Sequence, residues 1–264
     1  MVNSYKKTMK NLILTFICLQ YTALLAQKDT VAAKVYSLKD SITRETKVGT
    51  RTIMLKGSTK HLENISVHYS TLQPGKASNA GHVNATNEEL IIVREGKVTF
   101  TVKDQTKTIS AGGIALIMPG EWQQLKNNDT STASYYVLIY HSRTPMDTIR
   151  ADTAGGSLLL DWNELAFKPH DKGGVRPYYN RATAMFKRFE MHTTSLNEGL
   201  KSHEPHTHFA EEFILLLDGK VDMLIGDKHY KGSNGDLFFL SSNIPHNLTN
   251  EGKGQAMYVA FQFN

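Results

Sequence analysis

Hydrophobic positions along the chain cluster in runs of four to eight residues, closed off by Gly, Asn or Asp, a pattern that predicts strands and turns. Strands are expected at Glu89–Val93, Lys97–Val102, Ile114–Met118 and Ser134–Tyr140. A second set is expected at Glu212–Leu217, Val221–Ile225, Leu237–Leu240 and Met257–Phe263. Glu95-Gly96, Asp218-Gly219 and Asn234-Gly235 mark turns between them. Phe213-Ile214-Leu215-Leu216-Leu217 shows no apolar–polar alternation. Such a run predicts a strand covered on both faces, by a barrel core on one side and a neighbouring domain on the other. No long stretch keeps a helical period, so the chain reads as all-β.

The two sets of strands are copies of one unit. At an offset of 124, Leu72-Gln73-Pro74-Gly75 pairs with Leu196-Asn197-Glu198-Gly199, His68 with His192 and His82 with His206. After one dropped residue the offset is 123. It then pairs Glu88-Glu89 with Glu211-Glu212, Gly96-Lys97-Val98 with Gly219-Lys220-Val221, Gly112 with Gly235 and Gln123 with His246. This period is far above that of solenoid repeats, so the repeat means two domains. They are expected at 27–147 and 156–264, joined through Asp147–Gly156, as two antiparallel β-barrels or sandwiches.

Composition refines this picture mainly at the start of the chain. The 264 residues carry 30 Lys and Arg against 25 Asp and Glu. Lys6, Lys7 and Lys10 lie in residues 1–26, which hold no acid, and that leaves 27 basic against 25 acidic residues. The excess of positive charge is therefore mostly local and gives no reason to expect nucleic-acid binding. A basic start, the apolar run Leu12–Ala26 and the polar Gln27-Lys28-Asp29 have the layout of a secretory signal peptide. Cleavage after Ala26 and a periplasmic or secreted protein are expected, with no stable membrane insertion afterwards. Cleavage there removes Cys18, the one cysteine, so any metal site must be built from His, Asp and Glu.

The second unit contains such a set. His206 and His208 are two apart, so on an extended chain both face one side. Glu212 has the same parity, and His246 enters from beyond another strand. Three imidazoles and a carboxylate suit one divalent transition metal ion (Mn, Fe, Zn, Ni or Cu) and leave two octahedral positions open. Here the chain resembles the cupin superfamily, and specifically a bicupin, two cupin barrels in one chain. The first cupin motif corresponds to Gly199, His206, His208, Glu212 and Gly219, and the second to Gly235, His246 and Asn250. Ser241 and Asn243 stand where that second motif has Pro and Gly. The resemblance spans residues 35–264 and implies double-stranded β-helix (jelly-roll) barrels with His206, His208, Glu212 and His246 as metal ligands.

The first unit departs from this pattern. His82 is kept, but Asn84 and Gln123 replace two histidines, and an extra residue leaves either Glu88 or Glu89 at the acid position. Glu88 keeps the parity of His82, whereas Glu89 has the better spacing to Gly96. This barrel is expected to have lost its metal. The alternative is a pocket that binds a polar ligand through His82, Asn84 and Gln123. Around the second site, His203 is a candidate proton carrier or outer donor. Arg188 and His192 share parity and are expected to face the cavity, Arg188 as a carboxylate clamp. Glu211 should point away. The resemblance implies metal-dependent dioxygenase- or decarboxylase-like chemistry on a small polar molecule. A non-catalytic metal- or ligand-binding protein stands beside that reading, and the oligomeric state is open, a homodimer included.

Overall fold

The protein is described by a computed structural model over residues 30–264; the expected signal peptide, its cleavage point and Cys18 lie outside the described residues. Two seven-stranded antiparallel sheets dominate the chain, and a smaller sheet closes each into a barrel. The first large sheet is centred on Glu88–Glu95, Ala133–Ser142 and Leu62–Leu72, and the second on Glu211–Asp218, Ala256–Phe263 and Phe189–Leu196. All the expected strands are present, with ends shifted by a residue or two. The expected linker holds a short helix, Thr148–Thr153, whose start is capped by Asp147 accepting from the Arg150 amide.

The unbroken apolar runs arise because each central strand serves two cores. Ile91 and Val93 point into the first barrel, and Leu90 and Ile92 into a larger cluster between the barrels. Likewise Ile214 and Leu216 fill the second barrel, while Phe213, Leu215 and Leu217 face the shared cluster. A strand sends alternate side chains to opposite faces, so two buried faces remove the alternation. The shared cluster is rich in aromatics: Tyr140 stacks on Phe186 with centroids 5.3 Å apart, and Phe213 on Phe261 at 5.5 Å.

The barrels also exchange strands. Lys34–Tyr36, ahead of the first barrel, pairs with Leu237–Leu240 of the second, and Leu158–Leu160, ahead of the second, pairs with Ile114–Ile117 of the first. The expected segments 27–147 and 156–264 therefore do not coincide with the two sheets. Two repeat glycines, Gly112 and Gly235, sit under these arms with φ of +86° and +92°. A Cβ on Gly112 would lie 2.5 Å from Trp162, and one on Gly235 2.7 Å from Leu38, so both positions exclude a side chain.

The outward acids of the repeat close the same interface. Glu211 is buried, and its carboxylate accepts from the Thr59 hydroxyl at 2.5 Å and from the Lys60 and His61 amides at 3.0 and 3.1 Å. Its counterpart Glu88 accepts from Tyr140 Oη at 2.6 Å and from the Met185 amide at 3.2 Å. Full burial raises the Glu88 carboxyl to about 7, against the pull of these hydrogen bonds. Removing the Glu211 carboxylate leaves three donors unmet at the interface. Glu211→Ala should cost about 3 kcal/mol in urea unfolding, while Glu45→Ala on an exposed strand should stay within about 0.5 kcal/mol.

Glu88 has a distinct pH signature. Its folded pKa lies above its ordinary value of 4.5, so its protonated form stabilises the fold. That contribution is present in full below about 4.5 and is lost as pH rises through about 7. Urea midpoints of the parent chain should fall relative to Glu88→Gln across that window; parallel pH profiles for the two proteins would contradict the assignment.

Candidate metal centre

The two halves of the second barrel's site are joined through the backbone. The His206 amide donates to the His246 carbonyl at 3.2 Å, and the His246 amide returns the bond at 3.1 Å. This bridge brings the loop carrying His203, His206 and His208 against the strand His246–Asn250. Glu212 enters from the start of the strand Glu211–Asp218, on the face that Ile214 and Leu216 share. The rings of His206, His208 and His246 stand 4.6 to 5.3 Å apart, centroid to centroid.

Hydrogen bonds to backbone carbonyls orient two of these rings. His208 Nδ1 lies 2.9 Å from the Ala210 carbonyl and His246 Nδ1 2.8 Å from the Ile244 carbonyl. A carbonyl only accepts, so each Nδ1 carries a proton and each neutral ring turns an Nε2 lone pair inward. Both lone pairs face one carboxylate oxygen, Glu212 Oε2, at 3.2 and 3.4 Å. His246 Nε2 is buried with no hydrogen-bond partner, 3.4 Å from Glu212 Oε2. Lone pairs set against an anion repel unless a positive charge lies between them. A proton on His208 supplies part of it: the hydrogen bond to Glu212 raises that imidazole, against burial. Burial pushes the Glu212 carboxyl up, but His208 and His246 outweigh it and hold the group at about 2, ionised.

These donors fit a divalent transition metal, with each Nε2 held by a carbonyl on the far side of its ring. His208, Glu212 and His246 offer ligand atoms within 4.8 Å of one another, and so do His203, His206 and His246. His246 belongs to both groups. His203 is closer in than the sequence suggests, with Nδ1 2.9 Å from His206 Nδ1 and 2.9 Å from the Glu204 carbonyl. Burial lowers the imidazoles of both His203 and His206, and neighbouring rings add to the effect. Beside the cluster is a cavity of about 140 Å³, walled in part by His192, Asn247, Tyr258 and Gln262.

One sequence expectation needs correction. Arg188 does not line this cavity. It lies exposed just before the strand Phe189–Leu196, paired with Glu190 and Asn180. Parity was sound for His192, but Arg188 sits beyond the end of the wall. In the first barrel, where the sequence leaves Glu88 and Glu89 open, the acid position belongs to Glu89, and Glu88 faces the other barrel. The chain turns between Asn84 and Asn87, where Asn84 Oδ1 accepts from the Asn87 amide, and parity counted from His82 is lost there. The repeat offset of 123, which pairs Glu89 with Glu212, was the better guide.

The first barrel satisfies Glu89 in another way. Asn84 Nδ2 and Gln123 Nε2 donate to Glu89 Oε1 at 3.0 and 2.9 Å, and His82 Nε2 lies 3.5 Å away. Amide N–H groups stand where the second barrel presents lone pairs, so this carboxylate needs no cation. Among the described residues, no cluster of metal-ligand type forms in the first barrel.

The profile of the family described as Cupin domain matches residues 68–140 and again 192–261, more than half of the chain. No curated protein matches the chain in sequence. Several solved structures share its fold at low identity. The oxalate decarboxylase formate complex of Lactobacillus farciminis is 15% identical with a TM-score of 0.69, over 89% of this chain and 87% of that one. The putative glyoxylate induced protein of Pseudomonas aeruginosa is 16% identical with a TM-score of 0.70, over 91% and 92%. Protein Ylba from E. coli is 15% identical with a TM-score of 0.69, over 91% and 95%.

His246→Ala should cost more metal affinity than the 10–100-fold usual for an outer partner, because it removes a donor from both groups. His203→Ala should keep the metal through His208, Glu212 and His246. Metal affinity of the parent should fall with falling pH, and the fall should begin above the ordinary imidazole range of about 6.5, because His208 holds its proton more tightly. Competitive chelator titration between pH 5 and 8 reads all three; full occupancy in His246→Ala would remove this donor set.

Proposed function

The chain belongs to the cupin family, with two cupin domains in tandem, and from that premise we propose an exported, metal-dependent protein that acts on a small polar molecule at its second barrel. The observation that carries this reading is the pair of inward Nε2 lone pairs on Glu212, one of them buried and unpartnered. His206, His208, Glu212 and His246 would hold one divalent ion of Mn, Fe, Zn, Ni or Cu type. Such an ion supplies Lewis acidity towards a bound oxygen, or activation of dioxygen.

The remaining chemistry falls to the chain's own residues. Glu212 is the one carboxylate in the cavity wall and faces the ligand rings, so proton transfer is left to imidazoles. His203 and His192 are both lowered by burial and are neutral at pH 7, able to take up a proton. Gln262 and Asn247 offer amides that orient a polar group. A cavity of about 140 Å³ has the liquid volume of about five waters. It suits a small carboxylate or diketone. Decarboxylase-like cleavage of a small acid and dioxygenase-like cleavage of a small diketone both meet that limit.

Export rests on the basic start, the apolar run and the polar break at residues 1–29. It places the protein in the periplasm or outside the cell, where a cysteine-free metal site is not exposed to thiol oxidation. The test loads the purified protein with Mn or Fe and supplies oxalate or pentane-2,4-dione. Carbon dioxide release or dioxygen uptake is followed, with His246→Ala as control. Turnover in the parent that is lost in the variant supports the proposal. Stoichiometric metal with no turnover on small acids or diketones favours the non-catalytic binding protein.

A further inference from the structure

The first barrel has lost its metal donors and kept its cavity. That cavity measures about 120 Å³, the liquid volume of about four waters. Its wall uses the positions that line the second one: His68 answers to His192, Asn79 to His203, His82 to His206, Glu89 to Glu212 and Tyr135 to Tyr258. Arg51 breaks this correspondence. The offset of the repeat carries it onto Val175, so a guanidinium lines the first cavity alone. Among the described residues the Arg51 guanidinium has no hydrogen-bond or ion-pair partner, while its backbone pairs in the sheet.

Strand register places the charges. Arg51 is opposite Ser70, and Ser70 is opposite Tyr135. Glu89 is opposite Ile139, which lies four residues further along the same strand as Tyr135. Arg51 and Glu89 therefore occupy diagonal corners of the inner face, with His68 and Val137 paired between them. Burial, and then the charge of Arg51, push the His68 imidazole down to about 4, so this ring adds no charge. The cavity presents a free guanidinium at one corner, an apolar middle of Ile91 and Val137, and at the other corner the Glu89 carboxylate, which the Asn84 and Gln123 amides hold.

We propose that the first barrel is a metal-independent site for a small hydroxycarboxylate of two to four carbons, its carboxylate held by Arg51 and its hydroxyl donating to Glu89. The guanidinium is suited to bidentate recognition of a carboxylate. A dicarboxylate is disfavoured, because its second charge would meet Glu89. The site needs no metal, so the proposal is independent of turnover at the second barrel.

Isothermal titration of the full-length, metal-loaded protein with 3-hydroxypropanoate, propanoate and malonate tests it. The parent, Arg51→Gln and His246→Ala are compared. Arg51 is exposed, so its replacement should leave folding intact. The expected result is binding of 3-hydroxypropanoate that weakens about 10- to 100-fold in Arg51→Gln and persists in His246→Ala. Propanoate and malonate should bind more weakly than 3-hydroxypropanoate. Binding lost in His246→Ala but kept in Arg51→Gln would place the ligand on the metal and overturn the proposal. Equal binding of propanoate would overturn the role of Glu89, and no binding by the parent would overturn the site.

Discussion

The alternation of side chains along strands buried on both faces is the constraint from which the rest follows. Each central strand feeds a barrel interior with one set of residues and the inter-barrel cluster with the other. Adjacent glutamates at the start of such a strand must then part. Glu212 and Glu89 turn into their barrels, and Glu211 and Glu88 turn to the interface. One acidic pair thus provides both a site carboxylate and a structural clasp, and the duplication repeats the arrangement. The exchanged strands Lys34–Tyr36 and Leu158–Leu160 extend it, since each barrel's sheet is completed by the arm of the other.

Within that frame the two barrels differ in how a buried carboxylate is balanced. A buried anion must be paired or hydrogen-bonded. Around Glu212 the chain supplies imidazole lone pairs, and the missing positive charge has to come from a proton or an ion. Around Glu89 it supplies amide N–H groups, and the carboxylate is satisfied as it stands. Two substitutions, Asn84 at the position of His208 and Gln123 at that of His246, convert one solution into the other. The cost in the first barrel is Gln123 Oε1, which is left buried without a partner.

Much of this was written in the sequence, in proportion to how local each signal was. The strands, the duplication and the histidine cluster rest on short-range spacing. The loss of alternation at Phe213–Leu217 also pointed to a second covered face. What failed depended on chain geometry that spacing does not encode. Parity does not carry through the turn at Asn84–Asn87, so it favours Glu88 where spacing to Gly96 favours Glu89, and the sequence leaves both open. Arg188 had the right parity and stood too far along to reach the cavity. The strand exchange has no local signature, because Lys34–Tyr36 and Leu158–Leu160 would read alike in either barrel. Arg51 carries no repeat signal, because the duplication pairs it with Val175.

The asymmetry between the barrels is tested most directly by anomalous X-ray diffraction at the absorption edge of the bound metal, from crystals of the metal-loaded protein. One strong anomalous peak per chain is expected among His208, Glu212 and His246, with no peak beside Glu89. A second peak of similar height in the first barrel, or a single peak away from Glu212, would contradict it.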